Sequence, residues 1–231
     1  MRIKAWNGSS LRAWAVDVTD VLNMMPEYPA PFSHLVMGGA LLAGMLPPDE
    51  RLNLQIVSDG VLGGALVDAD ASGMVRASMR PGEGKILDGR GPWGQGTLSV
   101  LRTKPYQAVP YRGSVALETG FFTQDLIHYI VQSEQIPSAL VLGAKVGCLV
   151  QVIPGAEDFL VEDRLGDVLK QETPLGMLTA LGCTQVLEEV PLYFACTCSQ
   201  EKADALVAQF GSDDGPVTCE FCGTSYLKTH S

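Results

Sequence analysis

Cys196-Thr197-Cys198-Ser199-Gln200-Glu201, then, with twenty residues between Cys198 and the next cysteine, Cys219-Glu220-Phe221-Cys222-Gly223, is the stretch on which the reading of this chain turns. In an extended segment, positions i and i+2 project to the same side, so Cys196 and Cys198 can grip one ion together. The second pair sits on a tight turn, with Gly223 giving backbone freedom beside a ligand. Ser199 can cap a short helix through Phe210, ended by Gly211, that returns the chain to the second pair. Four thiolates at about 2.3 Å in a tetrahedron match a closed structural zinc site. A segment as short as 196–231 seldom folds without a metal or disulfides. A bound ion can add on the order of 10–16 kcal/mol to its folding. Cys196, Cys198, Cys219 and Cys222 are therefore expected to hold one Zn2+.

Upstream, residues 156–195 are expected to form a helical acidic linker. They carry Glu157, Asp158, Glu162, Asp163, Asp167, Glu172, Glu188 and Glu189 against Arg164 and Lys170. Helices are read at Glu157–Gln171 and Pro174–Leu181, each amphipathic, lying on the body and weakly held. Residues 1–155 read as an α+β core domain, an antiparallel-sheet body with packed helices. Ser33–Met45 gives a helix packed through small residues. Leu52–Val57, Val61–Val67, Met74–Met79, Thr97–Leu101 and Gly113–Leu117 give a meander of strands, with a Gly-rich mobile loop over Arg80–Gly96. Thr123 can cap a helix to about Ser133, and Leu140–Val146 and Cys148–Ile153 add two strands.

Composition removes several functions. A net charge of −10 with no Lys/Arg cluster argues against nucleic acid as a partner. The start, Met1-Arg2-Ile3-Lys4-Ala5-Trp6-Asn7, lacks the apolar stretch of a secretory signal. The apolar run Leu35–Leu46 is too short to span a bilayer, so no membrane is expected and the location is read as cytoplasmic. Permanent disulfides are then disfavoured.

No catalysis is expected. His34, His128 and His230 are scattered, and no Ser-His-Asp order, phosphate loop or His-Glu-x-x-His motif occurs. The glycines Gly82, Gly84, Gly89, Gly91 and Gly94 lack the strand-then-helix context of a phosphate cradle. Cys219 to Cys222 has no thioredoxin-like βαβ unit around it. Cys148, at the start of an apolar strand, reads as a core residue, and Cys183 as a linker thiol without a convincing partner.

A zinc tetrathiolate can also switch, because zinc keeps sulfur as the oxidisable thiolate. If oxidant joined Cys196 with Cys198 and Cys219 with Cys222, the ligands would be lost and neither bond would tie the two halves of the module together. Support for the linker would go with them, uncovering apolar surface.

These residues resemble the heat-shock protein 33 family of redox-regulated bacterial chaperones. The resemblance rests on the two cysteine pairs with Ser199-Gln200-Glu201 and on Asp125-Leu126-Ile127-His128-Tyr129-Ile130-Val131-Gln132-Ser133-Glu134-Gln135-Ile136-Pro137-Ser138. Leu149-Val150-Gln151-Val152-Ile153-Pro154 and Val57-Ser58-Asp59-Gly60 add to it. It implies an ATP-independent holdase for unfolded or oxidatively damaged client proteins, inactive while reduced and zinc-bound. Activation is implied to accompany the disulfides Cys196-Cys198 and Cys219-Cys222, zinc release and a disordered linker, often in a homodimer. The cysteine gap, the segment after Gln185 and the tail are shorter than the family pattern. The competing reading is a constitutive protein-interaction module with purely structural zinc.

Overall fold

A computed structural model describes residues 1–28, 31–86, 88–105, 109–155, 162–210 and 215–227. In chain order the elements are β1 (Arg2–Trp6), β2 (Leu11–Asp17), α1 (Thr19–Leu22), α2 (Phe32–Ala43), β3 (Arg51–Ser58), β4 (Gly64–Asp70) and β5 (Val75–Arg80). They continue with β6 (Gly96–Thr103), β7 (Tyr111–Ala116), α3 (Phe122–Glu134), β8 (Ser138–Leu142) and β9 (Val146–Val152). Last come α4 (Glu162–Val168), α5 (Pro174–Ala180), β10 (Gln185–Val190), α6 (Gln200–Phe210), β11 (Val217–Thr218) and β12 (Ser225–Tyr226).

Two antiparallel sheets carry the body, one ordered β10-β1-β2-β9-β8 and the other β5-β4-β3-β6-β7. The expected meander holds for β3–β4–β5, but β6 returns to the other side of β3, which becomes the central strand. Helix α2 packs against strands of both sheets. Its residues Leu35–Ala43 are all buried, as an all-round apolar helix must be. Gly39 lets Val67 approach, since a Cβ there would lie 2.4 Å from its Cγ1. Trp14 Nε1 donates to the Gly44 carbonyl at 2.7 Å, anchoring the helix end to β2. The buried Arg2 donates to the Ala71 carbonyl at 2.6 Å and so ties the first sheet to the β4–β5 turn.

Helix α3 starts at Phe122 with no side-chain cap, so the expected Thr123 cap is corrected. Buried Asp125 takes over, accepting from the backbone N–H of Glu118, Thr119 and Gly120. The helix ends on Gln135 in the left-handed conformation (φ 55°) just before Pro137.

The Gly-rich loop is also corrected. Trp93 is fully buried, and Gly60 and Trp93 donate backbone N–H groups to the Trp93 and Gly120 carbonyls. A Cβ on Gly60 would lie 2.3 Å from the Pro92 carbonyl oxygen, so the glycine permits backbone to press on backbone.

The linker is not helical throughout. Residues 185–190 form β10, which pairs with β1 from Trp6↔Gln185 to Arg2↔Val190 and supplies an edge of the first sheet. Nearly all its side chains are exposed, so main-chain pairing holds it. The preceding helix is firmly seated: Met177, Leu178, Leu181 and Cys183 are buried in a second core with Ile3, Ala5, Leu11, Ala13, Ala15, Cys148 and Val150. Glu157 and Asp158 lie outside the described residues.

Candidate metal centre

The strap from Pro191 to Ala195 leads from β10 to the cysteines along the β4–β5 turn. Tyr193 N–H donates to the Gly73 carbonyl and Val75 N–H to the Tyr193 carbonyl, both at 3.0 Å. Gly73 has φ +100°, and a Cβ there would lie 2.2 Å from the Pro191 carbonyl oxygen. The strap therefore needs that glycine.

At its end the four sulfurs converge. Cys196 Sγ lies 3.3 Å from Cys198 Sγ and 3.5 Å from Cys219 Sγ, and Cys198 Sγ lies 3.5 Å from Cys222 Sγ. All four ligand atoms fall within 4.8 Å of one another. A tetrahedron with metal–sulfur bonds of about 2.3 Å has edges of roughly 3.8 Å, whereas a disulfide brings sulfurs to about 2.05 Å. The separations suit a shared ion and exclude existing bonds. The cluster could hold a metal ion.

Local structure explains the convergence. Ser199 Oγ accepts from Lys202 N–H at 3.3 Å, the expected cap of α6, while Gly211 lies outside the described residues. Gln200 Nε2 donates to the Leu227 carbonyl at 2.6 Å, fastening α6 to the end of the β11–β12 hairpin. Cys219 N–H donates to the Thr224 carbonyl and Gly223 N–H to the Cys219 carbonyl, closing the Cys-x-x-Cys turn, with Gly223 at φ +72°.

Two partners of the sulfurs escaped the sequence reading. Tyr226 Oη donates to Cys198 Sγ at 3.0 Å, and Thr224 Oγ1 is 3.2 Å from Cys222 Sγ. Burial and hydrogen bonds to its neighbouring sulfurs push the Cys196 thiol up to about 12. Burial would also raise Cys222, but hydrogen bonding with Thr224 outweighs it and brings that thiol down to about 6. Hydroxyl groups at these spacings orient thiolates and take part of their charge. An alternation of Thr and Tyr beside the last cysteine was the signal available.

The residues between Cys219 and Cys222 face the body. Arg76 lies 4.2 Å from the Phe221 ring, Arg80 pairs with Glu220 at 2.6 Å, and Tyr28 Oη donates to the Glu220 carbonyl at 2.8 Å. The other sequence candidates stay apart from the centre. Cys148 and Cys183 are buried beneath α5, His34 is half-buried on α2, and His128 sits 3.6 Å from Glu118 near the surface. His230 lies outside the described residues. Among the described residues no helix is long and apolar enough to cross a membrane.

A family model described as Hsp33 protein matches residues 5–229, nearly the whole chain. The chain belongs to the Hsp33 family. Hsp33 relatives include the 33 kDa chaperonin of Pelobacter propionicus, 34% identical over 82% of this chain and 75% of the relative. That of Acaryochloris marina is 36% identical over 87% of this chain and 81% of the relative. The crystal structure of a Thermotoga maritima Hsp33 homologue has the same fold, with a TM-score of 0.69 at 23% identity, covering 97% of this chain and 92% of that one. The α+β architecture expected from sequence is thus the Hsp33 fold.

Proposed function

We propose that this chain is an ATP-independent holdase chaperone that binds unfolding or oxidatively damaged proteins when its cysteine centre is oxidised. The carrying observation is the four converged sulfurs at the end of a linker whose α5 covers an apolar sheet face. In the reduced state Cys196, Cys198, Cys219 and Cys222 hold zinc, which cross-links the two halves of the module. A two-electron oxidant such as a peroxide takes two electrons per pair and is reduced to water. Sulfur–sulfur bonds form between Cys196 and Cys198 and between Cys219 and Cys222, and no thiolate is left for the metal. The strap and linker over residues 156–195 then lose their anchor. Release of α5 would uncover Ile3, Leu11, Val150 and their neighbours for exposed apolar segments of other chains. We place this activity in the cytoplasm, with body, linker and module meeting near residues 155 and 195, and with a homodimer as the active form.

The names of the relatives, 33 kDa chaperonins, support a chaperone reading. The deciding experiment follows zinc release with a colorimetric chelator while aggregation of a heat-denatured model client is measured, with peroxide and then with reductant. Zinc release and aggregation suppression should rise together and reverse together. A reduced, zinc-loaded protein that is already fully active would select constitutive interaction with structural zinc.

A further inference from the structure

The residues between the second pair of ligands are seated on the body like a bound peptide. Arg76 is fixed from behind by Asp68, whose Oδ2 lies 2.9 Å from Nε and 2.7 Å from Nη2, and its side chain is 19% exposed. That restraint holds the guanidinium plane over the Phe221 ring. Arg80 presents Nε and Nη2 to Glu220 Oε1 at 2.8 and 2.6 Å. Tyr28, packed on Phe32 at 4.3 Å between centroids, donates its hydroxyl to the Glu220 carbonyl. Three groups, two on β5 and one in the loop before α2, thus read a carboxylate, the carbonyl of the same residue and the aromatic ring of the next.

We propose that this face of β5 with Tyr28 is a binding surface for an acidic residue followed by an aromatic one, and that Glu220-Phe221 occupies it in cis. The partner is an unfolded polypeptide exposing such a pair, since a folded protein buries most of its aromatic side chains. The inference rests on the chaperone reading above and adds a second, polar recognition surface to it. A cavity of about 460 Å3 between the module and the sheet, lined by Arg76, Arg80, Leu206 and Phe221, leaves room for flanking residues. Tethering gives the cis pair a millimolar-range effective concentration, enough to exclude a weak free peptide. Glu220 and Phe221 both lie between Cys219 and Cys222, so a disulfide joining those sulfurs would enclose both in its ring and alter how they meet Arg80 and Arg76. Oxidation would then vacate the surface as the client-binding form arises.

The test uses the full chain and a fluorescent twelve-residue Gly/Ser peptide carrying a central Glu-Phe, beside the same peptide with Gln-Leu, read by anisotropy. Reduced, zinc-loaded protein should bind neither. The double substitution Glu220→Gln with Phe221→Leu frees Arg80 and Arg76 without oxidant and leaves only the backbone contact to Tyr28. It should bind the Glu-Phe peptide roughly tenfold better than the Gln-Leu peptide. Adding Arg80→Ala or Arg76→Gln to it should erase that preference. Zinc content and circular dichroism establish that each variant is folded. A folded double variant that treats both peptides alike, or keeps its preference without Arg76 and Arg80, overturns the proposal. Aggregation suppression by the oxidised wild-type protein is measured alongside. Its absence would sink the chaperone reading, whereas its presence without peptide preference would sink only this surface.

Discussion

Cys148 and Cys183 carry the same side chain as the four converged cysteines, and their surroundings give them a different chemistry. Both lie in the core under α5, 2% and 0% exposed. Burial pushes the Cys183 thiol up to about 11 and Cys148 higher still, away from the thiolate form that reacts. In reduced protein treated with a metal chelator, iodoacetamide at neutral pH should modify Cys222, whose thiol is brought down to about 6, without denaturant. Cys148 and Cys183 should react only after denaturant is added. Mass spectrometry of the labelled peptides reads the difference, and rapid native-state labelling of Cys183 would contradict the burial described. At this scale the sequence was most legible, because paired spacing singled out, without a fold, the four cysteines whose sulfurs converge. Arg76 and Tyr28 were not legible, because each reaches Glu220 or Phe221 across a long stretch of chain.

Among the elements, the strap and α2 make the sharpest demands. Gly73→Ala puts a methyl group against the Pro191 carbonyl at a backbone angle that L-residues avoid, which costs about 1–3 kcal/mol. The variant should show faster proteolysis near 191–195 and earlier zinc release at a given peroxide dose, with the two sheets intact by circular dichroism. Unchanged cleavage would mean that the turn does not hold the strap. On α2, burial lowers the pKa of His34 below its ordinary 6.5, partly opposed by a hydrogen bond to the Gly143 backbone. The unfolded chain therefore takes up the proton before the folded one does. The resulting stability is complete above about pH 6.5 and is lost as pH falls from there through the depressed native value. Denaturant midpoints between pH 7.5 and 5.5 should fall less steeply in His34→Asn than in the wild type, and equal slopes would exonerate His34. Elements with strong local patterns, such as α2, α3 and β3, were legible. β1 and β2 were not, because Arg2-Ile3-Lys4-Ala5-Trp6 and the alanines of β2 bury short or mixed side chains that give little alternation. β10 hid for a related reason: its partner supplies the backbone contacts that make it a strand.

For the whole molecule, the seating of the linker sets how readily it lets go. Leu178 is fully buried between α5 and the first sheet, so Leu178→Ala should cost about 2–5 kcal/mol, concentrated in the linker. The expected outcome is limited proteolysis within residues 162–190 and aggregation suppression at a lower temperature or oxidant dose than the wild type needs. A variant that loses global stability yet activates under the same conditions as the wild type would separate the linker from the switch. The shift in composition after residue 155 drew attention to the acidic stretch that holds α5 and β10. That the linker completes a sheet of the body could not be read from it, because such a pairing spans most of the chain.

That pairing has a consequence for how the protein is made. Arg2 faces Val190 across the β1–β10 ladder, so β1 leaves the ribosome long before the outer partner it pairs with. Until then one margin of β1 stands open, a template on which any extended neighbour can pair. Translation itself thus passes every copy through a stage in which this edge is unpaired, and only the late arrival of β10 closes it.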